Sequence, residues 1–217
     1  MATQLNKFDI YTLRENASLA IIGKRAVGKT FLISYIAEIL LNDKVNECIV
    51  LCLPTDNNTQ IYSNLGVTIG EYNKTSVADI LNKQKQECKK LLVVFDDCII
   101  ENNFYEDKIL NELFLYQKQY EITLIFSMQY PINLQNLGFR FDYIILASEN
   151  IVSVQRLLYN YYANETFSTF EVFNETFCHL TENYNMMIID NTCADEKIKW
   201  IRSENINPDE EFGEEEN

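Results

Sequence analysis

The sequence predicts an α/β fold, a mainly parallel sheet with helices on both faces. Three observations predict it. Short apolar runs recur along the chain, as in "LAII" (19–22), "LLVVF" (91–95) and "ITLIF" (122–126). They are continuous rather than alternating, the pattern of strands buried on both faces. Longer segments with helical spacing separate them, the order expected of a parallel sheet with crossover helices.

Leu19–Ile22 reads as a short buried strand that ends at Gly23. In the segment after it, "KTFLISYIAEILL", the spacing of Leu32, Ile33, Ile36, Ala37 and Leu40 predicts a helix. "ECIVLCLP" is a second buried strand, stopped by Pro54, and "DNNTQIYSNLG" reads as a polar loop. "SVADILNKQKQECKK" reads as a helix with a lysine-rich second half. "LLVVFDDC" is a strand, "NFYEDKILNELFLYQKQY" a helix, and "ITLIFSMQYP" a strand ended by Pro131. "FDYIILAS" is a further strand. Two helices follow, "NIVSVQRLLYNYYA" and "TFSTFEVFNETFCHL", and "NYNMMIID" closes the sheet.

A chain of 217 residues with 47% hydrophobic residues can bury one sizeable core. The expected organisation is a single domain over residues 1–203 and an acidic, solvated, disordered tail over 204–217, within "NPDEEFGEEEN". The N-terminus has no basic region followed by an apolar core, so a signal peptide is not expected. No apolar run approaches the roughly 20 residues of a membrane span. A soluble, intracellular protein is the expectation. The net charge of −14 argues against a surface that coats nucleic acid as a whole. The six cysteines include no Cys-x-x-Cys pair and the only histidine is His179, which disfavours a zinc site and predicts reduced, mostly buried thiols.

The segment "GKRAVGKT" matches the phosphate-loop pattern G-x-x-x-x-G-K-[ST] at Gly23, Gly28, Lys29 and Thr30. It follows a predicted strand and opens a predicted helix, which is the context the motif needs. Lys24, Arg25, Ala26, Val27 and Phe31 complete the expected nucleotide-binding stretch. In such a loop the backbone N–H groups and the helix N-terminus face the phosphates. Lys29 would contact the β- and γ-phosphates, and the Thr30 hydroxyl would ligate Mg²⁺. Asp96 and Asp97 end a buried strand. Asp96 would hold the Mg²⁺ through water, and Asp97 would orient or deprotonate the attacking water. Gln129, at the end of "LIFSMQ", could reach the γ-phosphate or the water.

The nucleotidase class follows partly by exclusion. Guanine readers carry Asn-Lys-x-Asp, and "NKTS" at Asn73 and "NKQK" at Asn82 lack the Asp. The few arginines form no cluster of the kind that clamps phosphates in small-molecule kinases. A phosphotransferase acting on a nucleoside or other small molecule stays as the alternative to a nucleotide-hydrolysing motor. A non-hydrolysing scaffold is disfavoured by the complete set of Lys29, Thr30, Asp96 and Asp97.

In order, "GKRAVGKTFLI", "LLVVFDDC", "YEITLIFSMQYP" and "FRFDYIIL" resemble the poxvirus-type genome-packaging ATPases of large DNA viruses and virophages, members of the FtsK/HerA superfamily. The resemblance spans about residues 17–195. It implies a P-loop NTPase fold of the ASCE, RecA/FtsK-like type. It also implies Mg²⁺-dependent ATP hydrolysis coupled to movement of double-stranded DNA into a capsid. The expected assembly is a homo-oligomeric ring, hexamer or pentamer, with viral capsid proteins as partners, in the host cytoplasm where virus assembles and in the virion. The family places an arginine shortly before the "ITLIF" strand as a finger toward a neighbour's ATP. This sequence has Lys118 there, so Lys118 or Arg140 would supply the cation. Lys83, Lys85, Lys89 and Lys90 form the densest basic patch, read either as a DNA contact or as a solvated helix face.

Overall fold

The computed structural model describes residues 5–53, 56–98, 107–133 and 140–203, and of residues 56–59 the backbone alone. The acidic tail expected over 204–217 lies outside the described residues.

Eight strands form one sheet. They are β1 (Ser18–Ile22), β2 (Glu47–Cys52), β3 (Thr68–Glu71), β4 (Leu91–Asp96), β5 (Ile122–Met128), β6 (Tyr143–Leu146), β7 (Met186–Asp190) and β8 (Ile198–Ile201). Their order is β3-β2-β4-β5-β1-β6-β7-β8. Every neighbouring pair from β3 to β6 is parallel, while β6–β7 and β7–β8 are antiparallel. The mainly parallel sheet is as expected. The strand over 186–190 does not close it, however: β8 follows as the edge.

The helices are α1 (Lys29–Asp43), α2 (Asp56–Ser63), α3 (Lys74–Glu87), α4 (Lys108–Tyr116), α5 (Val152–Leu158) and α6 (Phe170–Leu180). A π-helical turn, Tyr159–Ala163, extends α5. Side chains alternate across the strands into two separate cores. Leu19, Ile21, Leu92, Val94 and Ile125 pack with α1 and Tyr62 of α2. Ala20, Ile22, Val93, Phe95, Leu124 and Phe126 pack with α3, α4 and α6. Two buried faces explain why these strands read as unbroken apolar runs.

Helix α2 replaces the loop expected over 56–66. Its sequence is too polar for the apolar spacing to show, and one large side chain, Tyr62, anchors it in the core at 0% exposure. β3 is a four-residue, half-exposed edge strand that carries no alternating signal. Asn73 caps α3, accepting from Ser76 N while Ser76 Oγ accepts from Asn73 N, so the helix begins at Lys74. Cys48, Cys52 and Cys98 are buried, Cys193 is half-buried, and Cys88 and Cys178 are exposed. Half of the thiols, rather than most, are therefore interior. Burial pushes Cys48 up to about 12, which keeps it an inert thiol.

Candidate nucleotide site

The sheet order places β5 between β1 and β4. Three strands thus end side by side, and their carboxyl ends deliver the loop from Gly23, the acids Asp96 and Asp97, and Gln129 to one edge. Ligands of open α/β sheets bind at this edge.

The loop leaves β1 at Gly23, whose N–H donates to Met128 O of β5 at 3.1 Å. A Cβ at Gly23 would stand 2.6 Å from Ala147 Cβ, so the residue after β6 can approach only a glycine. Ala26 (φ 59°) and Gly28 (φ 87°) are both left-handed. Alternation of this kind turns successive N–H groups toward a common concavity that suits an anion. Gly28 is also the N-cap of α1, and the first N–H groups of that helix lack intrahelical partners. Loop and helix together form an anion cradle.

Lys29 is buried, and its ammonium meets the loop's own acceptors. Nζ donates to Gly23 O at 2.8 Å and Lys24 O at 3.0 Å, and it lies 3.1 Å from Asp97 Oδ2. A buried ammonium needs such partners to offset lost hydration. Asp97 sits in the left-handed region (φ 48°), which turns the chain sharply as β4 ends. Its Oδ1 accepts from Ser127 Oγ at 2.9 Å, and its Oδ2 from Gln129 Nε2 at 3.3 Å. Gln129 Oε1 accepts from Arg25 Nε at 3.0 Å.

Asp96 is 1% exposed. Its Oδ2 accepts from Thr30 Oγ1 at 3.1 Å and from the Tyr62 hydroxyl at 2.8 Å. Its Oδ1 is buried with no hydrogen-bond partner among the described residues. Burial and the neighbouring Asp97 charge push the Asp96 carboxyl above the usual aspartate value, while the Tyr62 and Thr30 hydroxyls oppose the shift. A buried carboxylate with one oxygen lacking a donor, beside a threonine hydroxyl, is a donor set for a hard divalent cation or its water. The residues present therefore fit Mg²⁺ at Thr30 and Asp96.

Lys29, Thr30, Asp96, Asp97 and Gln129 come together at this edge. Lys118 and Arg140 lie elsewhere: they precede β5 and β6, at the opposite, amino-terminal edge of the parallel strands. Lys118 Nζ pairs with Asp142 Oδ1 at 3.0 Å, and Asp142 Oδ2 accepts from Ser18 N and Oγ. Arg140 is exposed and lines a depression with Asp142, Glu165 and Lys197. The basic patch is matched by carboxylates: Lys83 pairs with Glu47, Lys85 with Glu112, Lys89 with Glu87 and Lys90 with Glu15. Each pair lies at the surface, partly exposed, and adds little to stability, but together they remove the patch's excess charge. Lys24 is half-buried and Val27 is buried in the core, while Phe31 is partly covered at the start of α1.

Three features of the site escape sequence reading. Tyr62 sits in a polar stretch that hides its helix. Ser127 is a polar residue in an apolar strand, opposite Asp96 in the β4–β5 register, and that polarity was the available signal. The third is a groove of about 490 Å³ beside the loop, lined by Ala26, Val27, Ser148, Asn150, Glu182 and Asn185 among others. Asn183 (φ 53°) and Tyr184 (φ 61°) bend the chain along its far wall.

No family model matches the chain. Two viral sequences are similar over most of its length. Uncharacterized protein L437 of Acanthamoeba polyphaga mimivirus is 26% identical, with 92% of this chain and 77% of that protein covered. Uncharacterized protein 015R of Frog virus 3 (isolate Goorha) is 27% identical, with 87% of this chain and 61% of that protein covered. Among solved structures, B204, the DNA-packaging ATPase from Sulfolobus Turreted Icosahedral Virus, superposes with a TM-score of 0.67 at 16% identity, covering 87% of this chain and 98% of that one. The genome packaging NTPase B204 from Sulfolobus turreted icosahedral virus 2, in complex with ATP-gammaS, superposes with a TM-score of 0.63 at 14% identity, over 87% and 98% of the two chains. The fold is that of these P-loop packaging NTPases.

Proposed function

We propose that this chain, built on the fold of viral packaging NTPases, is a Mg²⁺-dependent ATPase that drives double-stranded DNA into a viral capsid. One observation carries the reading. Lys29, Thr30, Asp96, Asp97 and Gln129 converge at the carboxyl edge of three adjacent strands, with an Asp96 oxygen in their midst that has no partner among the described residues.

Each residue has a distinct task. The loop N–H groups and Lys29 bind the phosphates, and Lys29 exchanges its contacts to Gly23 O, Lys24 O and Asp97 for phosphate oxygens. Thr30 and Asp96 hold Mg²⁺, which when bound neutralises charge on the phosphates. Once Lys29 turns to phosphate, Asp97 is freed to accept the proton of the attacking water. Ser127 and Gln129 fix the orientation of that carboxylate. The groove beside Ala26 receives the nucleoside, and its Asn150 and Asn185 amides offer the donors and acceptors a base edge needs.

Coupling to DNA rests on the packaging-ATPase likeness and on the viral relatives. We propose a homo-oligomeric ring, hexamer or pentamer, that works with capsid proteins in the host cytoplasm and the virion. Among the described residues no helix is long and apolar enough to cross a membrane. Lys118 and Arg140 lie on the edge away from their own loop, where a neighbouring subunit's site could be reached. Either supplies the cation to that site.

The test is a division of labour. Lys29→Ala abolishes binding of ATP, whereas Asp97→Asn keeps Mg-ATP binding and loses hydrolysis. Equal loss of binding in Asp97→Asn contradicts the assignment. Transfer of phosphate to a nucleoside, with no release as inorganic phosphate, would favour a kinase instead.

A further inference from the structure

Arg25 stands at a loop position that the phosphate-binding pattern leaves open. Phosphate binding by Lys29 and the backbone does not require a cation there. Its guanidinium is nevertheless linked to the acid at the centre of the site. Arg25 Nε donates to Gln129 Oε1 at 3.0 Å, and Gln129 Nε2 donates to Asp97 Oδ2 at 3.3 Å. One amide separates the guanidinium from the carboxylate that would take the water's proton. Lys29 Nζ touches that same oxygen at 3.1 Å. Both cations around Asp97 therefore come from the loop that holds the phosphates.

We propose that Arg25 is a catalytic cation acting in cis, stabilising the charge that develops on the phosphoryl group hydrolysed at its own subunit's site. This rests on the ATPase reading above and adds to it a residue and a role.

The chemistry favours Arg25 for this task. In hydrolysis the water oxygen bonds to the γ-phosphorus while the bond from that phosphorus to the β–γ bridging oxygen breaks. The electron pair leaves on the ADP β-phosphate, and the water's proton passes to Asp97. Charge builds on the γ-phosphoryl and bridging oxygens, next to Asp97 by necessity. A guanidinium presents five donors in a fixed fork that matches phosphate oxygens. Among the described residues only the Nε donor of Arg25 is engaged, with Gln129, which is neutral. None of the ion pairs among the described residues uses Arg25. Lys118, by contrast, is already paired with Asp142. Arg25 is exposed, so it can turn to a phosphate without breaking core packing.

The experiment measures ATP turnover and non-hydrolysable ATP analogue binding for Arg25→Ala and Arg25→Lys, alone and mixed with Lys29→Ala. Arg25→Ala should bind the analogue within about tenfold of wild type yet turn over about 10³-fold more slowly, the scale of an arginine finger. Arg25→Lys should recover only a small part, because lysine lacks the planar fork. Mixing Arg25→Ala with Lys29→Ala should recover nothing, since each site needs its own arginine. Near-wild-type turnover in Arg25→Ala overturns the proposal, as does a defect confined to analogue binding or recovered activity on mixing. A wild-type protein that hydrolyses no ATP overturns the ATPase reading instead.

Discussion

The buried Tyr62 hydroxyl donates to Asp96 Oδ2 at 2.8 Å, so a helix between β2 and β3 holds the carboxylate that would serve the metal. Thr30 Oγ1 donates to the same oxygen. With two hydroxyls on Oδ2, the other oxygen, Oδ1, is the one that would face the proposed cation. Tyr62→Phe keeps the ring in the core and removes one bond to a charged acceptor, a loss of about 1.5–3 kcal/mol. The expected result is a severalfold higher Mg²⁺ requirement for turnover with metal-free ATP affinity unchanged. An unchanged Mg²⁺ titration would show that Tyr62 is only a core residue.

Acidification tests the same carboxylate. Its folded value lies above the ordinary aspartate value, chiefly through burial, so protons would compete with a metal proposed at Asp96 at a higher pH than usual. Mg-nucleotide affinity should therefore begin to fall while ordinary aspartates are still ionised. Because the Tyr62 bond lowers the Asp96 value, Tyr62→Phe should move that fall to still higher pH. The linkage to stability has the opposite sense. A carboxyl whose folded value is raised favours the folded state most below its unfolded value, and this contribution is lost as pH rises through the folded value. In the metal-free protein, Asp96→Asn should thus raise Tm at neutral pH, with the gain shrinking on acidification. Calorimetry of both variants across the acid range checks the two signs.

Gly23 is required by packing rather than by backbone conformation. In Gly23→Ala the new Cβ would meet Ala147 Cβ at 2.6 Å, and β6 cannot withdraw without loosening its pairing with β1. Overpacking of this kind costs about 1–3 kcal/mol. A clear drop in Tm is expected, together with weaker nucleotide binding because the loop starts at this residue. Gly23→Ala combined with Ala147→Gly should recover part of both.

The parts of the site that were legible in the sequence are those tied to strand ends by fixed spacing. Gly23 to Thr30 and Asp96–Asp97 each follow an apolar run, and strand pairing then brings the runs together. Gln129 could be placed beside them for the same reason. Tyr62 could not, because "DNNTQIYS" has no apolar stripe and the Tyr62 hydroxyl meets a residue 34 positions away. The edge strands β3 and β8 are four residues each and half-exposed, so neither tertiary pairing nor burial left a period to read. The contact of Arg25 with Gln129 spans 104 positions and depends on β5 lying next to β1, an order that the linear sequence does not state.

The proposed subunit interface is tested by complementation. Lys118 and Arg140 are proposed to act on a neighbour's site, so an inactive Lys29→Ala subunit mixed with inactive Lys118→Ala or Arg140→Ala should regain activity. This is the opposite of the outcome expected for Arg25. Full activity of both finger variants as pure proteins, or a monomer whose turnover is unchanged on dilution, would contradict a finger in trans.

The coupling of nucleotide hydrolysis at this site to DNA stands at the centre of the proposed function. It is tested most directly by the steady-state ATPase rate of the full chain with and without linear double-stranded DNA, alongside Lys29→Ala. Mg²⁺-dependent hydrolysis that DNA accelerates and Lys29→Ala abolishes is the expected result. Hydrolysis at the same rate with and without DNA, or phosphate passed to a nucleoside acceptor rather than to water, would contradict it.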